Sequence, residues 1–484
     1  MTQAVDQAVS QAAHARRTAQ RFLRIALLVV VLSILAVAVR LAIELGAARA
    51  YSTLSTGQNT PQKPPQTVLH QGAYLARAGN CAACHTARGG AAFAGGKAIH
   101  TPFGAVFTSN ITPDAATGIG NWTADAFYRA MHEGISADSR LLVPAFPYAN
   151  YTHVTRDDSD ALYAYFMHSV PPVVQANKPH ELPFPFNMQL ALAAWRVMFF
   201  DKAKPGESLD DTTKLIAARA YPMLASGTNK HKNDLMTDEI ARGTYLVQGL
   251  AHCSACHASR NALGAATNQQ LLSGALMPMQ DWYAPSLLSS KEAGVMHWKR
   301  EDIVALLHTG VSPSASALGP MAEVVALSTQ HLTTQDLNAI ASYLQSLPEV
   351  FDYSTQAKEP AKNRFQDSAQ YQRGGEVFTQ YCATCHGAQG QGMQLQGTVA
   401  LPAFAGNRAI TMANSTNLVR MIVVGGYAPS TTGNPRPYGM PPFVHQLSDE
   451  DIAAVASYIR NSWGNQAEPV SAAAVVQQRK GWLR

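Results

Sequence analysis

The longest apolar stretch lies near the N-terminus. It runs from Phe22 to Val39, interrupted only by Arg24 and Ser33, and resumes after Arg40 as Leu41 to Leu45. Counted through Arg40, it matches the roughly 20 residues that a membrane-spanning helix needs. Arg40 sits near its far end, where a long stem can reach the interface. Arg16, Arg17 and Arg21 precede the run and Arg24 lies at its start, opposed only by Asp6. Positive residues stay inside, so the pattern predicts a transmembrane helix with the remainder of the chain exported. A cleaved signal peptide is the alternative, because Ala48-Arg49-Ala50 resembles a small-residue cleavage site.

Past a Thr-, Ser-, Gln- and Pro-rich stretch, the pattern changes to shorter amphipathic segments that recur three times. Each unit opens on a helical stretch containing a glycine, at Gly72, Gly243 and Gly374. A small residue there lets two helices approach closely. Each unit closes on a helical stretch carrying aromatics: Asp160 to His168, Asp336 to Leu347 and Asp449 to Trp463. Acidic residues at the start of each suit the helix dipole, and Pro171 and Pro348 stop the first two. Between these ends Gly118, Trp122, His132, Gly134 and Ser136 of the first unit recur at a constant offset of 176 as Gly294, Trp298, His308, Gly310 and Ser312 of the second. That register argues for duplication. The shared tryptophan packs on a cofactor edge, bonds a propionate, or is simply core.

With 484 residues there is room for about three domains. A hydrophobic content of 47% against 14% charged excludes a disordered chain. A formal charge of +5, with no basic cluster interleaved with aromatics, excludes nucleic acid as a partner.

The cysteines decide the chemistry. All six fall into pairs followed by histidine: Cys81/Cys84 with His85, Cys253/Cys256 with His257, and Cys382/Cys385 with His386. C-x-x-C-H is the pattern of c-type haem attachment. Two thiols add to the vinyl groups of one porphyrin, and the adjacent histidine coordinates its iron. Zinc would need the pairs to meet two by two, and three pairs do not divide that way. A disulfide framework would not place histidine after every second cysteine. The expected cofactors are therefore three haem c groups.

A second axial ligand belongs on a loop between the motif and the closing helix. Met321, in Gly319-Pro320-Met321, and Met440, in Gly439-Met440-Pro441-Pro442, stand there in units two and three. A thioether opposite histidine raises the potential. In unit one the equivalent position holds Phe146. The candidates are then Met131, His132, His153 and Met167, with Met131 preferred; it aligns with Leu307, an ordinary core position, and an open iron is the alternative.

These readings predict a mainly α fold: an N-terminal transmembrane helix followed by three class I cytochrome c-like domains. The expected division is 1–50 for a cytoplasmic stub and anchor, 51–67 linker, 68–180 first domain, 181–235 inter-domain segment, 236–350 second domain, 351–367 linker, 368–465 third domain and 466–484 tail. Pro183 to Phe200 is the longest apolar run outside the anchor. It contacts a partner subunit or the membrane surface, or packs between domains.

The chain resembles the triheme cytochrome c subunit of membrane-bound dehydrogenases from acetic acid bacteria and their relatives. The carriers, besides the three motifs, are Thr101-Pro102-Phe103-Gly104, Asn110-Ile111-Thr112-Pro113, Ala161 to Phe166, Pro185-Phe186-Asn187, Met321 to Val325 and Gly439 to Pro442. The resemblance implies a catalytic partner that oxidises an alcohol, aldehyde, sugar or sugar acid in the periplasm. That partner uses pyrroloquinoline quinone, flavin or molybdopterin, with a small third subunit as a further candidate. The cytochrome chain then reduces ubiquinone from the inner (cytoplasmic) membrane, its haem domains facing the periplasm. Phe146 resembles subunits paired with molybdenum-containing dehydrogenases, which favours an aldehyde-oxidising partner. The rival readings are a haem peroxidase or reductase working at an open first iron, and a cytochrome subunit of a terminal oxidase.

Overall fold

The computed structural model describes residues 28, 35, 38–46, 64–201, 238–266, 272–277, 279–347, 349, 364–395 and 398–482. Three units share one plan. Each has an opening helix, a short motif helix, a two-stranded antiparallel hairpin, a middle helix and a closing helix. In the first these are Gln66–Ala78, Cys81–His85, the strands Ala98–Thr101 and Gly104–Phe107, Ala124–Glu133 and Arg156–His168. The hairpin pairs Ala98 with Phe107 and Thr101 with Gly104. In the second unit the opening helix covers 238–244 and continues as a π-helical turn over Tyr245–Leu250. The motif helix Ser254–His257, the strands Ala275–Met277 and Trp282–Ala284, and the helices Arg300–Thr309 and Thr334–Ser346 follow. The third repeats the order with Ala369–Tyr381, Ala383–His386, the strands Met393–Leu395 and Thr398–Leu401, Thr416–Val424 and Asp449–Arg460.

Opening and closing helices cross where the sequence places its glycines. A Cβ at Gly72 would stand 2.0 Å from the carbonyl oxygen of Ala161 and 2.6 Å from Cβ of Tyr165. At Gly243 the same atoms belong to Ala339 and Tyr343, at 2.0 and 2.7 Å, and at Gly374 to Ala454 and Tyr458, at 2.3 and 2.6 Å. No side chain fits at any of them. The closing helices begin earlier than the first acidic residue suggests in two of the three cases. Thr155, Thr333 and Ser448 are the N-caps, and each side-chain oxygen accepts from the amide three residues on, at Asp158, Asp336 and Asp451. Such caps satisfy donors that the helix start leaves unpaired.

The cores do not divide three ways. Leu75, Phe127 and Phe166 of the first unit lie in one buried cluster with Leu246, Ile303 and Leu337 of the second. The third has its own cluster, around Phe378, Ile422 and Ile452. It docks on the second through Asn417. That side chain accepts from the Tyr283 amide at 2.9 Å and donates to the Tyr283 carbonyl at 2.7 Å, closing the edge of strand Trp282–Ala284. The end read as a tail forms a helix, Ala472–Trp482. It buries Val475, and Arg479 pairs with Asp449 at 2.6 Å.

The expected fold class needs correction. No described helix is long and apolar enough to cross a membrane. Within the N-terminal run the described helix is 38–46; the preceding arginines and most of residues 22–37 lie outside the described residues. The helix packs back on the first unit for a physical reason. Leu41 and Leu45 meet Ile135, Leu141 and Ala193, and Glu44 pairs with the buried Arg196 at 3.0 Å. The chain is also mixed rather than mainly α, with five two-stranded sheets among the described residues. Pro348 lies outside them as well.

Arg196 belongs to helix Gln189–Phe199 in the second long apolar run. One face of that helix is packed inward through Ala193 and Arg196, and Trp195 donates to the Leu263 carbonyl at 2.9 Å. Leu190 and Met198 are exposed.

Placing a methyl group at the third crossing, Gly374→Ala, is expected to destabilise that unit by about 1–3 kcal/mol through overpacking. Because the third core is separate, scanning calorimetry should show its transition moving down while that of the first two units stays. An unmoved third transition would refute the close-approach account.

Candidate haem sites

Each motif opens a helix directly after the opening helix ends. Asn80 and His252, the residues before the first cysteine in units one and two, take left-handed backbone angles, with φ of 51° and 41°. They turn the chain so that both thiols and the histidine leave one short helix. No cysteine is paired in a disulfide. Burial, followed by the charge of the second cysteine of each pair, pushes Cys81 and Cys253 up to about 12 and Cys382 up to about 11. These three thiols are therefore protonated at neutral pH. Charge on Cys84 is felt at Cys256, so the first two motifs are neighbours.

The three histidines are held below their ordinary pKa by burial, and so are neutral imidazoles. Nδ1 of His85 lies 2.7 Å from the Ser109 carbonyl, and Nδ1 of His257 lies 2.7 Å from the Pro285 carbonyl. A proton on Nδ1 donated to a carbonyl leaves the lone pair on Nε2, the tautomer that a metal ligand requires. His386 differs: it stacks on Phe404 with centroids 4.5 Å apart, and its buried Nδ1 has no hydrogen-bond partner among the described residues. Two adjacent thiols and a neutral, oriented imidazole on one helix form a donor set that fits a covalently bound iron porphyrin.

The proposed sixth ligands occupy different settings. Met321 is the second residue of helix Pro320–Leu327, which follows Gly319. A Cβ at Gly319 would strike the Trp282 ring at 2.7 Å, so the turn is seated on an aromatic wall. Met440 lies on the strand Gly439–Met440, which pairs with Gly426–Tyr427, and it packs against the third core. Met131 is 6% exposed inside the shared core with Phe127 and Phe166, as its alignment with Leu307 suggests. His132 is engaged by Nε2 with the Val154 carbonyl. Phe146 packs on Tyr151, with centroids 5.3 Å apart. Trp122 and Trp298 pack on the shared core. Their carbonyls accept from Tyr163 at 2.6 Å and from Gln345 at 2.8 Å of the closing helices.

One network near these sites has no counterpart among the sequence expectations. Asp336 accepts two hydrogen bonds from Arg242, both 2.8 Å, and one from Tyr74 of the first unit at 2.5 Å. Lys97 of the first unit donates to the Ala83 carbonyl in the first motif at 2.7 Å and to Glu323 at 2.9 Å, two residues beyond Met321. The tyrosines two places after the first two glycines were the available signal.

Comparisons with known proteins agree with this chemistry. Residues 371–463 match the family model described as cytochrome c. The chain is 38% identical over 450 residues to the cytochrome c subunit of the quinone alcohol dehydrogenase of Gluconacetobacter polyoxogenes, covering 90% of this chain and 89% of that one. To the equivalent subunit of Gluconobacter oxydans it is 35% identical over 446 residues, with 90% and 86% covered. To the gluconate 2-dehydrogenase cytochrome c subunit of Pantoea cypripedii it is 36% identical over 448 residues, with 90% and 94% covered.

The Asp336 carboxyl is raised by burial, but its bonds to Arg242 and Tyr74 outweigh this and hold it below 3.8. A depressed folded pKa contributes stability above the unfolded value, lost as pH falls through the folded one. The unfolding temperature of the shared core should therefore drop below about pH 4, and Asp336→Asn should flatten that drop. An equal slope in the variant would contradict the role given to Asp336.

Proposed function

Because the chain belongs to the family of cytochrome c subunits of dehydrogenases, among them the quinone alcohol and gluconate enzymes, we propose that it carries three haems c and passes electrons from a catalytic dehydrogenase subunit to ubiquinone. The observation that carries this reading is the threefold recurrence of the cysteine pair and histidine on one helix, each beside a glycine crossing.

Each haem, when bound, supplies a one-electron ferric/ferrous couple. The chain's residues supply placement. Cys81/Cys84, Cys253/Cys256 and Cys382/Cys385 fix the porphyrins by thioether bonds. His85, His257 and His386 present a nitrogen to iron, the first two oriented by their carbonyl partners. Met321 and Met440 would supply thioether ligands to the second and third sites. The first two motifs pack against the shared core through Cys81 and Cys253, which would limit water there and raise the ferrous preference. No side chain of this chain is assigned to substrate oxidation; that belongs to a partner acting on an alcohol, aldehyde, sugar or sugar acid, with pyrroloquinoline quinone or molybdopterin as its cofactor. A small third subunit completes the assembly we envisage. Thioether attachment follows export, so the haem-bearing units face the periplasm.

The first site supports a second reading beside the first. Phe146 cannot bind iron, and were none of Met131, His132, His153 and Met167 to supply a ligand, the first iron would have an open position. An open iron would bind small ligands in the manner of a haem peroxidase or reductase.

The purified chain, denatured, should carry the mass of three porphyrins, and Cys382→Ala with Cys385→Ala should remove one. A chain that holds none would end the electron-transfer reading. Cyanide or carbon monoxide should perturb one haem of three in the native protein, whereas Met440→Ala should raise that number to two. Ligand binding by none would assign a sixth ligand to the first site.

A further inference from the structure

The first two units meet through a pair of contacts that repeat each other. Tyr74 stands two residues after Gly72, and Tyr245 two residues after Gly243. Tyr74 donates to Asp336 at 2.5 Å, and Tyr245 donates to Asp158. Asp336 and Asp158 are themselves equivalent, each three residues after the threonine that caps its closing helix. Each unit's opening helix thus reaches the closing helix of the other. The caps join in: the Thr333 amide donates to the Tyr74 hydroxyl at 3.2 Å, and Thr155 bonds Tyr245 likewise. Contacts within each unit follow the same rule. Gln71 donates to Asp158 at 2.8 Å, as Arg242 does to Asp336. In a two-fold interface residue i meets j while j meets i, and this pattern has that form inside one chain.

The third unit supplies the contrast. Its Arg373 donates to Asp451 at 2.8 Å, preserving the contact within the unit. The tyrosine position, however, holds Glu376. A carboxylate cannot donate to another carboxylate, and like charges would repel. The third unit accordingly has a core of its own.

The interface also engages the backbone next to the motifs. His252 bonds the Gly79 carbonyl through Nε2 at 3.2 Å, two residues before Cys81. Ser328 donates to the Ala78 carbonyl at 3.3 Å. Asn150 donates to the Gln248 carbonyl at 2.6 Å and to Ser254 at 2.8 Å, inside the second motif.

We infer that the reciprocal pairs Tyr74–Asp336 and Tyr245–Asp158 are positioning residues that lock the first and second motif helices in two-fold register, and so set the spacing and mutual orientation of the two porphyrins these helices hold. The pair works as one dihaem module, whereas the third site is set separately. An electron passing between the two leaves one iron ferric as the other becomes ferrous, with no bond made or broken. This inference rests on the haem attachment proposed above for Cys81, Cys84, Cys253 and Cys256.

The test uses the full haem-loaded chain and its Soret circular dichroism, in which two coupled porphyrins at a fixed angle give paired bands of opposite sign. Tyr74→Phe with Tyr245→Phe should abolish the paired bands and narrow the separation of the first two midpoint potentials, at an unchanged porphyrin mass and visible spectrum. Tyr371→Phe removes a tyrosine contact to Ser462 within the third unit, 2.9 Å long, and should change neither. Should the double variant fold poorly, Asp158→Asn, which keeps an accepting oxygen, is expected to weaken the paired bands partially. Paired bands that persist in both variants, or that are absent from the parent protein, would overturn the inference. A chain whose mass lacks porphyrin at the first two motifs would instead defeat the attachment reading itself.

Discussion

Everything in the three units depends on how closely two helices can come. An opening helix lies against a carbonyl of the closing helix at a distance that a single methyl group would prevent, and this happens at Gly72, Gly243 and Gly374. The closing helix answers with an alanine at the carbonyl and a tyrosine four residues on. The crossing brings the start of the motif helix to a fixed place relative to the closing helix. The thiols and the histidine therefore inherit their position from a backbone contact rather than from side-chain packing, which tolerates sequence change around them.

Much of this was legible along the chain, because it depends on local spacing. The three cysteine pairs, the histidines that follow and the glycines before them stand at nearly constant intervals. The role of small size at those glycines could be read from elementary geometry. Other features depend on partners far away in sequence. Tyr74 and Asp336 are 262 positions apart, and no periodicity announces such a pair. The merging of the first two cores has the same origin: the residues are ordinary apolar positions in each unit, and only their meeting is unusual.

Misreadings arose where a local signal served a different end. Apolar content in the N-terminal run suggested a spanning helix, yet its described helix directs Glu44 to the buried Arg196 and Leu41 and Leu45 to the first unit. Met131, the preferred candidate for the first site, lies in the shared core beside Phe127 and Phe166, a setting that periodicity alone does not distinguish from ordinary packing. The closing helices looked as if they started at their acids, because the capping hydroxyls of Thr155 and Thr333 precede the acidic residues. Proline and charge alone also gave no hint that the last residues fold back as a helix on the third core.

Asn417 has a consequence for how the protein survives in a crowded compartment. A strand three residues long, Trp282–Ala284, exposes an edge whose amide and carbonyl could recruit a strand from another molecule. The carboxamide of Asn417 imitates a neighbouring peptide and occupies both groups of Tyr283 at once. The junction between the second and third units is thereby also a guard against self-association, so separating the units would uncover a sticky edge as well as loosen a joint.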